Sequence, residues 1–344
     1  MRKKVIVAMS GGVDSSVAAA LLKKAGFEVI GMFMKCWSAE LSLACTSKDD
    51  ERMARLAASH LNIPFYSVNF IEEYKKRVVD YLLEGYRKGI TPNPDAMCNK
   101  EIKFGLFFEK AMQLGAQYVA TGHYARIQDG KLLEAVDKEK DQSYFLSFVN
   151  QSVLSRVLFP IGEYTKPQVR ELARKFGLPN AERKDSQGIC FVGEVDVVDF
   201  LKQYLPVKQG NIVDAQGTVL GTHEGAQYYT IGQRKGIGLG GGPYYVIQKD
   251  IDRNVLVVSK DEEGLYRKEM MLRDMNWLSE NEETSPISVD ARIRYRQQLA
   301  PAQLSKTEDN VYKLTFQSPQ RAITPGQVAA LYKDTQLIAG GVIV

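Results

Sequence analysis

The sequence predicts an α/β protein: an N-terminal domain built on a parallel sheet, then a small β-rich domain, then a C-terminal β-barrel-like domain. Three observations carry this. The first two hundred residues alternate short apolar runs with longer amphipathic ones, the pattern of strands joined by crossover helices. Near Leu205 the composition shifts to Gly, Val, Ile and Tyr in short alternating runs with frequent turn residues, which is β structure. The length, 344 residues, suffices for two or three domains with cores of their own.

The elements follow in order. "KVIVAM" reads as a buried strand, and "SGGVDSS" as a glycine loop. A helix is expected from about Ser15 to Ala25, stopped by Gly26. "EVIGMFM" and "FYSVNF" are further strands, separated by "DDERMARLAASHL", whose spacing is helical and whose start is acidic. "EEYKKRVVDYLLEGYRKG" and "KEIKFGLFFEKAMQLGA" give two more helices, the second beginning near Lys100, and "YVATG" a strand ending in a glycine turn. Ligands of such a sheet bind at the carboxyl ends of its strands, where the Ser10–Ser16 loop and Gly122-His123 fall. The β-rich remainder divides into units of about Pro206–Arg267 and Lys268–Val344, so the expected domains are 1–205, 206–267 and 268–344. Strands of this length and spacing suit a small barrel.

Bulk composition narrows the function classes. A 44% hydrophobic and 25% charged content is that of a soluble globular protein. No apolar run approaches a membrane span, and the start "MRKKVIVAMS" lacks the pattern of a secretory leader. A cytoplasmic protein is expected. The net charge of +4 permits a nucleic-acid partner without requiring one. The four cysteines, Cys36, Cys45, Cys98 and Cys190, form no Cys-x-x-Cys pair, and the three histidines are scattered. No structural metal site is expected. Each cysteine is either buried filler or chemistry. No self-association stripe appears, and a monomer is expected.

Three stretches carry chemistry. In "VAMSGGVDSSVAAALL", Gly11 and Gly12 allow backbone N–H groups to wrap an anion at a helix N-terminus, and Ser10, Ser15 and Ser16 add hydroxyl donors. The lysine that ends an ordinary P-loop is missing and Asp14 is added. At a helix start, Asp14 is a carboxylate that the dipole favours. In "TPNPDAMCNKEIKF", two prolines fix an extended turn, Asn93 and Asp95 suit local backbone bonding, and Cys98 lies close to a helix N-terminus, which stabilises a thiolate. A carboxylate and a thiol are thus expected on one exposed turn. In "KDSQGICFVGE", Cys190 follows a polar, glycine-containing stretch. Two distant cysteines in turn-rich surroundings suggest a redox-linked pair able to carry sulfur as a persulfide.

The string "SGGVDSS" resembles the loop of the N-type ATP pyrophosphatases, the PP-loop enzymes, which adenylylate a substrate oxygen and release pyrophosphate. With "TPNPD", "CNKEIKF", "ATGHYAR", "KDQSYFL", "GICFVGE", "YTIGQRKG" and "PQRAITPGQ" in that order, essentially the whole chain resembles the tRNA-specific 2-thiouridylases, the MnmA family. The resemblance implies that ATP, with Mg²⁺, is cradled by Ala8, Met9, Ser10, Gly11, Gly12, Val13, Asp14 and Ser15, with Met34 and Gly122 lining the adenosine pocket. It implies that Asn93, Pro94 and Asp95 meet a flipped wobble uridine of a tRNA for lysine, glutamate or glutamine, with Asp95 as the acid/base candidate. It implies that Cys190 carries a persulfide received from a cysteine desulfurase or sulfur-relay protein, and that Cys98 is its partner thiol in a transient Cys98–Cys190 disulfide, with the sulfur either released as sulfide or attacking C2 directly from the persulfide.

For tRNA contact the resemblance points to His123, to Lys140, Asp141 and Gln142, to Arg294 and Tyr295, and to Gln327. The residues themselves add that Arg292, Arg294 and Arg296 alternate in "ARIRYRQ", which on a strand lines one face for phosphates. Arg234 and Lys235 in the glycine-rich "GQRKGIGLGGG" are a weaker basic candidate. Cys36 and Cys45 inherit no role. The competing readings are another PP-loop synthetase, which does not need the two cysteines, and an RNA-binding protein with an inactive nucleotide loop.

Overall fold

The structure, a computed structural model, describes residues 2–37, 47–184, 196–279, 286–308 and 310–344. Cys45 and Cys190 lie outside these residues.

The chain opens with strand β1 (Lys4–Ala8) and helix α1 (Val13–Lys24), then β2 (Glu28–Lys35), helix α2 (Ser47–His60) and β3 (Phe65–Asn69). Helical runs 71–87 and 94–113 lead to β4 (Tyr118–Ala120), a hairpin of β5 (Arg126–Gln128) and β6 (Lys131–Leu133), and β7 (Val157–Leu158). The first sheet has the order β3-β2-β1-β4-β7, and every pairing in it is parallel. β1 is apolar throughout because both its faces are covered. Val5, Val7 and Met9 face α1, α2 and the helix Lys166–Lys175, while Ile6 and Ala8 face the runs 71–87 and 94–113. The small residues of α1, Ser15, Ser16 and Ala18 to Ala20, let that helix lie close to the sheet. Its two lysines in the last turn complement the helix dipole, and Gly26 at φ +87° stops it.

The second sheet, order β10-β11-β8-β9, holds β8 (Gly210–Val213), β9 (Val219–His223), β10 (Tyr245–Asp250) and β11 (Val255–Ser259). Strands β12 (Tyr266–Trp277), β13 (Ile287–Arg292), β14 (Ala300–Glu308), β15 (Val311–Arg321), β16 (Val328–Lys333) and β17 (Gln336–Ile343) form the third. Pairing of β12 with both β15 and β17 closes these six into a barrel, and the β5–β6 hairpin joins its outside through β17. The expected architecture, a parallel-sheet domain, a small β-rich domain and a C-terminal barrel, is therefore the observed one. Among the described residues no helix is long and apolar enough to cross a membrane.

Two local expectations change. The helix after the "TPNPD" turn begins at Pro94 rather than near Lys100. Asn93 caps it by accepting from the Ala96 N–H at 3.0 Å, and Pro94 occupies the first turn. Within this run Asn99–Leu106 is π-helical, a geometry that is rare and concentrates at functional sites. The arginine stripe is also absent. β13 stops at Arg292, and Arg296 has φ +63°. The three arginines point to different destinations because the strand turns before alternation can place them together.

Candidate functional site

The strand order reverses direction at β1 and β4: β2 and β3 lie to one side of β1, β4 and β7 to the other. The crevice beyond their carboxyl ends is the place where a doubly wound sheet binds ligands. The glycine loop enters it from β1 and Thr121–His123 from β4.

The loop is built by its own serines and by distant residues. The Ser10 N–H donates to Ser15 Oγ at 3.1 Å, and Ser15 and Ser16 hydroxyls donate to the Gly12 carbonyl at 3.3 and 3.0 Å. These bonds satisfy two buried hydroxyls and fix the loop against the start of α1. Asn180 Nδ2 donates to the carbonyls of Gly11 and Gly12 at 2.9 and 3.1 Å. Arg183 donates to the Gly11 carbonyl at 3.2 Å and pairs with Asp50 at 2.6 Å and Asp49 at 3.1 Å. With the Gly11 and Gly12 carbonyls tied back, the loop at the N-terminus of α1 is suited to offer N–H groups to an anion. Gly11 has φ +82°, and a Cβ there would lie 2.3 Å from the Asp50 carbonyl oxygen. Gly122 presses on the same loop from β4: a Cβ would lie 2.6 Å from the Ser15 nitrogen. Both positions therefore exclude a side chain. Ala8, Met9 and Val13 are buried beneath the loop, and Met34 is buried on β2 beside them.

The absent loop lysine has a counterpart. Lys166, the first residue of the helix Lys166–Lys175, reaches Asp14 with Nζ 2.8 and 2.9 Å from the two carboxylate oxygens. The Tyr124 hydroxyl donates to the same carboxylate at 3.0 Å. Neither partner was identified from the sequence. "TKPQVREL" announces a capped helix start, and Thr165 and Gln168 do form a capping box. Nothing in that string tells where the lysine's charge goes.

The "TPNPD" turn is braced from the small β-rich domain and from the barrel. The Thr91 hydroxyl lies 3.2 Å from that of Thr230, and the Thr91 N–H donates to the Pro325 carbonyl at 2.9 Å. Gln327 Nε2 donates to the carbonyls of Thr91 and Pro92 at 2.8 and 3.4 Å. Asp95 is half-buried in the first turn that follows. Cys98 is not on an exposed turn, as expected, but fully buried at 0% exposure, because the helix starts earlier and turns that face into the core.

The expected tRNA contacts divide. Asp141 is 1% exposed; Arg292 donates to its Oδ2 at 2.8 Å and to Glu134 at 2.6 Å, and Ser143 donates to it at 2.8 Å. Burial raises the pKa of Asp141. This side chain locks the segment onto the barrel instead of presenting a charge to RNA, and the same holds for Arg292. His123 is 8% exposed and likewise points inward. Lys140, Gln142, Arg294, Tyr295 and Gln327 remain half-buried, and Arg296 is exposed. Gln142 Oε1 accepts from the Tyr124 N–H at 3.0 Å, so the 140–142 segment is tied to the residue that holds Asp14. Arg294 donates to the carbonyls of Ile231 and Ala322 at 3.3 and 2.9 Å.

Comparison with known proteins agrees with this three-part architecture. Residues 3–194 match the family described as tRNA methyl transferase HUP domain, 198–260 the tRNA methyl transferase PRC-barrel domain, and 267–343 the Aminomethyltransferase beta-barrel domain. Relatives named tRNA-specific 2-thiouridylase MnmA match along the full length. The one from Alkaliphilus oremlandii (strain OhILAs) is 46% identical over 99% of this chain and 96% of its own. Those from Shouchella clausii (strain KSM-K16) and Lysinibacillus sphaericus (strain C3-41) are 47% and 48% identical over 99% of this chain and 96% and 94% of theirs.

Proposed function

The chain belongs to the tRNA-specific 2-thiouridylase family, and from that premise we propose that it replaces the C2 oxygen of a wobble uridine with sulfur at the expense of ATP, in tRNAs for lysine, glutamate and glutamine. It is an ATP-dependent tRNA-uridine 2-sulfurtransferase. The observation that carries this reading is full-length similarity to the 2-thiouridylases, in a chain that combines a lysine-free glycine loop with Cys98 and Cys190. The domain descriptions speak of methyl transfer, but that reaction gives no use to a pyrophosphate loop or to two cysteines.

In this reading the uridine O2 attacks the α-phosphate of ATP and pyrophosphate leaves towards the N–H groups of the loop at the start of α1. Gly122 shapes the floor and Met34 lines the adenosine side. A magnesium ion would be held chiefly by phosphates, and Asp14 is the carboxylate that would hold it in exchange for its contact with Lys166. When bound it supplies positive charge against the leaving pyrophosphate. The Asn93–Asp95 turn, held by its own cap and by the bonds of the preceding Thr91 and Pro92 to Thr230, Pro325 and Gln327, receives the flipped base. Asp95 moves the proton there. Sulfur arrives as a persulfide on Cys190, loaded by a cysteine desulfurase or a relay protein. Cys98 attacks Cys190 Sγ and breaks the persulfide bond, either before the outer sulfur reaches C2, as sulfide, or after that sulfur has attacked C2 directly. Sulfur stays on C2, AMP leaves, and a reductant reopens the Cys98–Cys190 disulfide. Lys140, Gln142, Arg294, Tyr295 and Gln327 are the proposed tRNA contacts, with Asp141 as the internal anchor of its segment.

The test is thiolation of tRNA in vitro with ATP, Mg²⁺ and a persulfide donor, read by nucleoside mass spectrometry. The wild-type protein yields 2-thiouridine and Cys190→Ser yields none. Normal product from the serine variant would sink the sulfur-carrier role. A wild-type protein that releases no pyrophosphate with tRNA would favour the inactive-loop alternative.

A further inference from the structure

Adenylylation builds negative charge on the α-phosphate, the atom shared by the leaving pyrophosphate and the attacking oxygen. The loop amides face the leaving group, and Lys166 is engaged by Asp14 at 2.8 Å. A second lysine comes from the helical run 94–113. Lys103 lies on the helical run that begins with Asp95 and Cys98, within its π-helical part. Its Nζ is 3.3 Å from His123 Nε2. His123 directly follows Gly122, the residue in contact with the glycine loop.

The histidine is built as a fixed acceptor. Its Nδ1 is 2.6 Å from the Thr121 hydroxyl, and its ring packs against Phe104 and Phe159, the three centroids 5.9 Å from one another. Burial first, and the Lys103 charge second, push its pKa well below the usual histidine range. A neutral ring whose Nε2 accepts from an ammonium carries its proton on Nδ1, where the Thr121 oxygen accepts it. A buried neutral ring, packed against two phenyl groups and bonded at both nitrogens, is a fixed acceptor for the Lys103 ammonium. Lys103 belongs to the helical run that carries the target-base turn, and His123 follows the glycine that touches the loop. The α-phosphate must lie between loop and turn if pyrophosphate rests on one side and uridine on the other.

We propose that Lys103 is a catalytic residue that binds the α-phosphate of ATP, and that His123 is the positioning residue that fixes its ammonium. The assignment rests on the adenylylation reading above and supplies the charge that the lysine-free loop lacks. Preorganised cations at the site of developing charge are worth two to three orders of magnitude in rate. It also gives His123 a task that its buried ring can perform.

Titration calorimetry with adenosine and with AMP tests it, because the two ligands differ by the phosphate alone. The wild-type protein binds AMP more tightly than adenosine. Lys103→Met weakens AMP at least tenfold while adenosine stays within twofold, and Lys103→Arg keeps AMP within about threefold of wild type. His123→Leu, which removes the acceptor and keeps the packing, reduces the AMP preference several-fold without changing adenosine. Single-turnover pyrophosphate release with tRNA falls about 100-fold in Lys103→Met. An unchanged AMP-to-adenosine ratio in Lys103→Met overturns the assignment, and so does an equal loss for both ligands. Failure of the underlying reading looks different: the wild-type protein itself forms no 2-thiouridine. Intact thiolation with an unchanged ratio removes only the role of Lys103.

Discussion

Lys166 shows how a single charge is reused. It reaches Asp14 from 152 positions along the chain, in a site where the lysine is nearly buried. Asp14 without it would keep only the neutral Tyr124 hydroxyl among these protein partners and would meet incoming phosphates with more of its charge exposed. Lys166→Met is therefore expected to weaken ATP binding about tenfold, ~1.4 kcal/mol, measured by calorimetry; unchanged affinity would show that Asp14 is neutralised some other way. Lys249 poses the opposite problem. It donates to the Tyr229 carbonyl at 2.6 Å, and burial lowers its pKa from 10.5 to about 8. A lysine whose folded pKa lies below its unfolded value penalises the folded state in full below about pH 8. The penalty lifts as pH rises from there toward the unfolded value, so stability increases across that window. Lys249→Met should stabilise the protein at pH 7 by roughly 1 kcal/mol, the loss of its hydrogen bond offsetting part of the gain. It should also flatten the rise between pH 8 and 10, as followed by denaturant unfolding at several pH values.

At the scale of elements, the loop between β1 and α1 is shaped less by its own sequence than by what presses on it. Gly122 brings β4 so close that any side chain would meet the Ser15 backbone at 2.6 Å. Backbone cannot step aside as a flexible side chain can. Gly122→Ala should therefore cost about 1–3 kcal/mol, the range of overpacking, and should impair ATP binding more than tRNA binding. Thermal unfolding and the two dissociation constants check this. The π-helical stretch Asn99–Leu106 shows the same economy: a Cβ on Gly105 would lie 2.9 Å from the Lys100 carbonyl oxygen. Glycine there accommodates the wide turn that sends Lys103 towards His123.

Across the whole molecule, the barrel does more than extend the surface. Through Pro325 and Gln327 it holds the turn that carries Asn93 to Asp95. Through Arg292 it holds Glu134 and Asp141, on the segment that also bonds Tyr124 and so reaches Asp14. A shared core of Ala96, Phe104 and Tyr144 with Val328, Ala330 and Tyr332 makes the joint solid. Removing one member of a buried ionic cluster leaves the others uncompensated and costs roughly 3–5 kcal/mol. Arg292→Leu should show a loss of that order in denaturant unfolding, together with slower thiolation, although the residue touches no substrate. A variant that unfolds like wild type would mean that the two carboxylates find other partners.

What the sequence by itself determined are the features with a local cause. Unbroken apolar runs mark strands covered on both faces, and Gly11 and Gly12 mark a backbone that must approach an anion. Asn93-Pro94-Asp95 has the chemistry of a helix start, although the helix was expected to begin some six residues later. The order of the motifs along the chain identified the family before any contact was known. Only the tertiary structure decided where charge resides. Arg292 and Asp141 read as surface residues yet pair inside, and Cys98 turns from an expected exposed bend into the core. Lys166 and Tyr124 converge on Asp14, and Lys103 on His123. Local propensity and spacing act over a few residues, whereas an ion pair depends on which strands lie side by side.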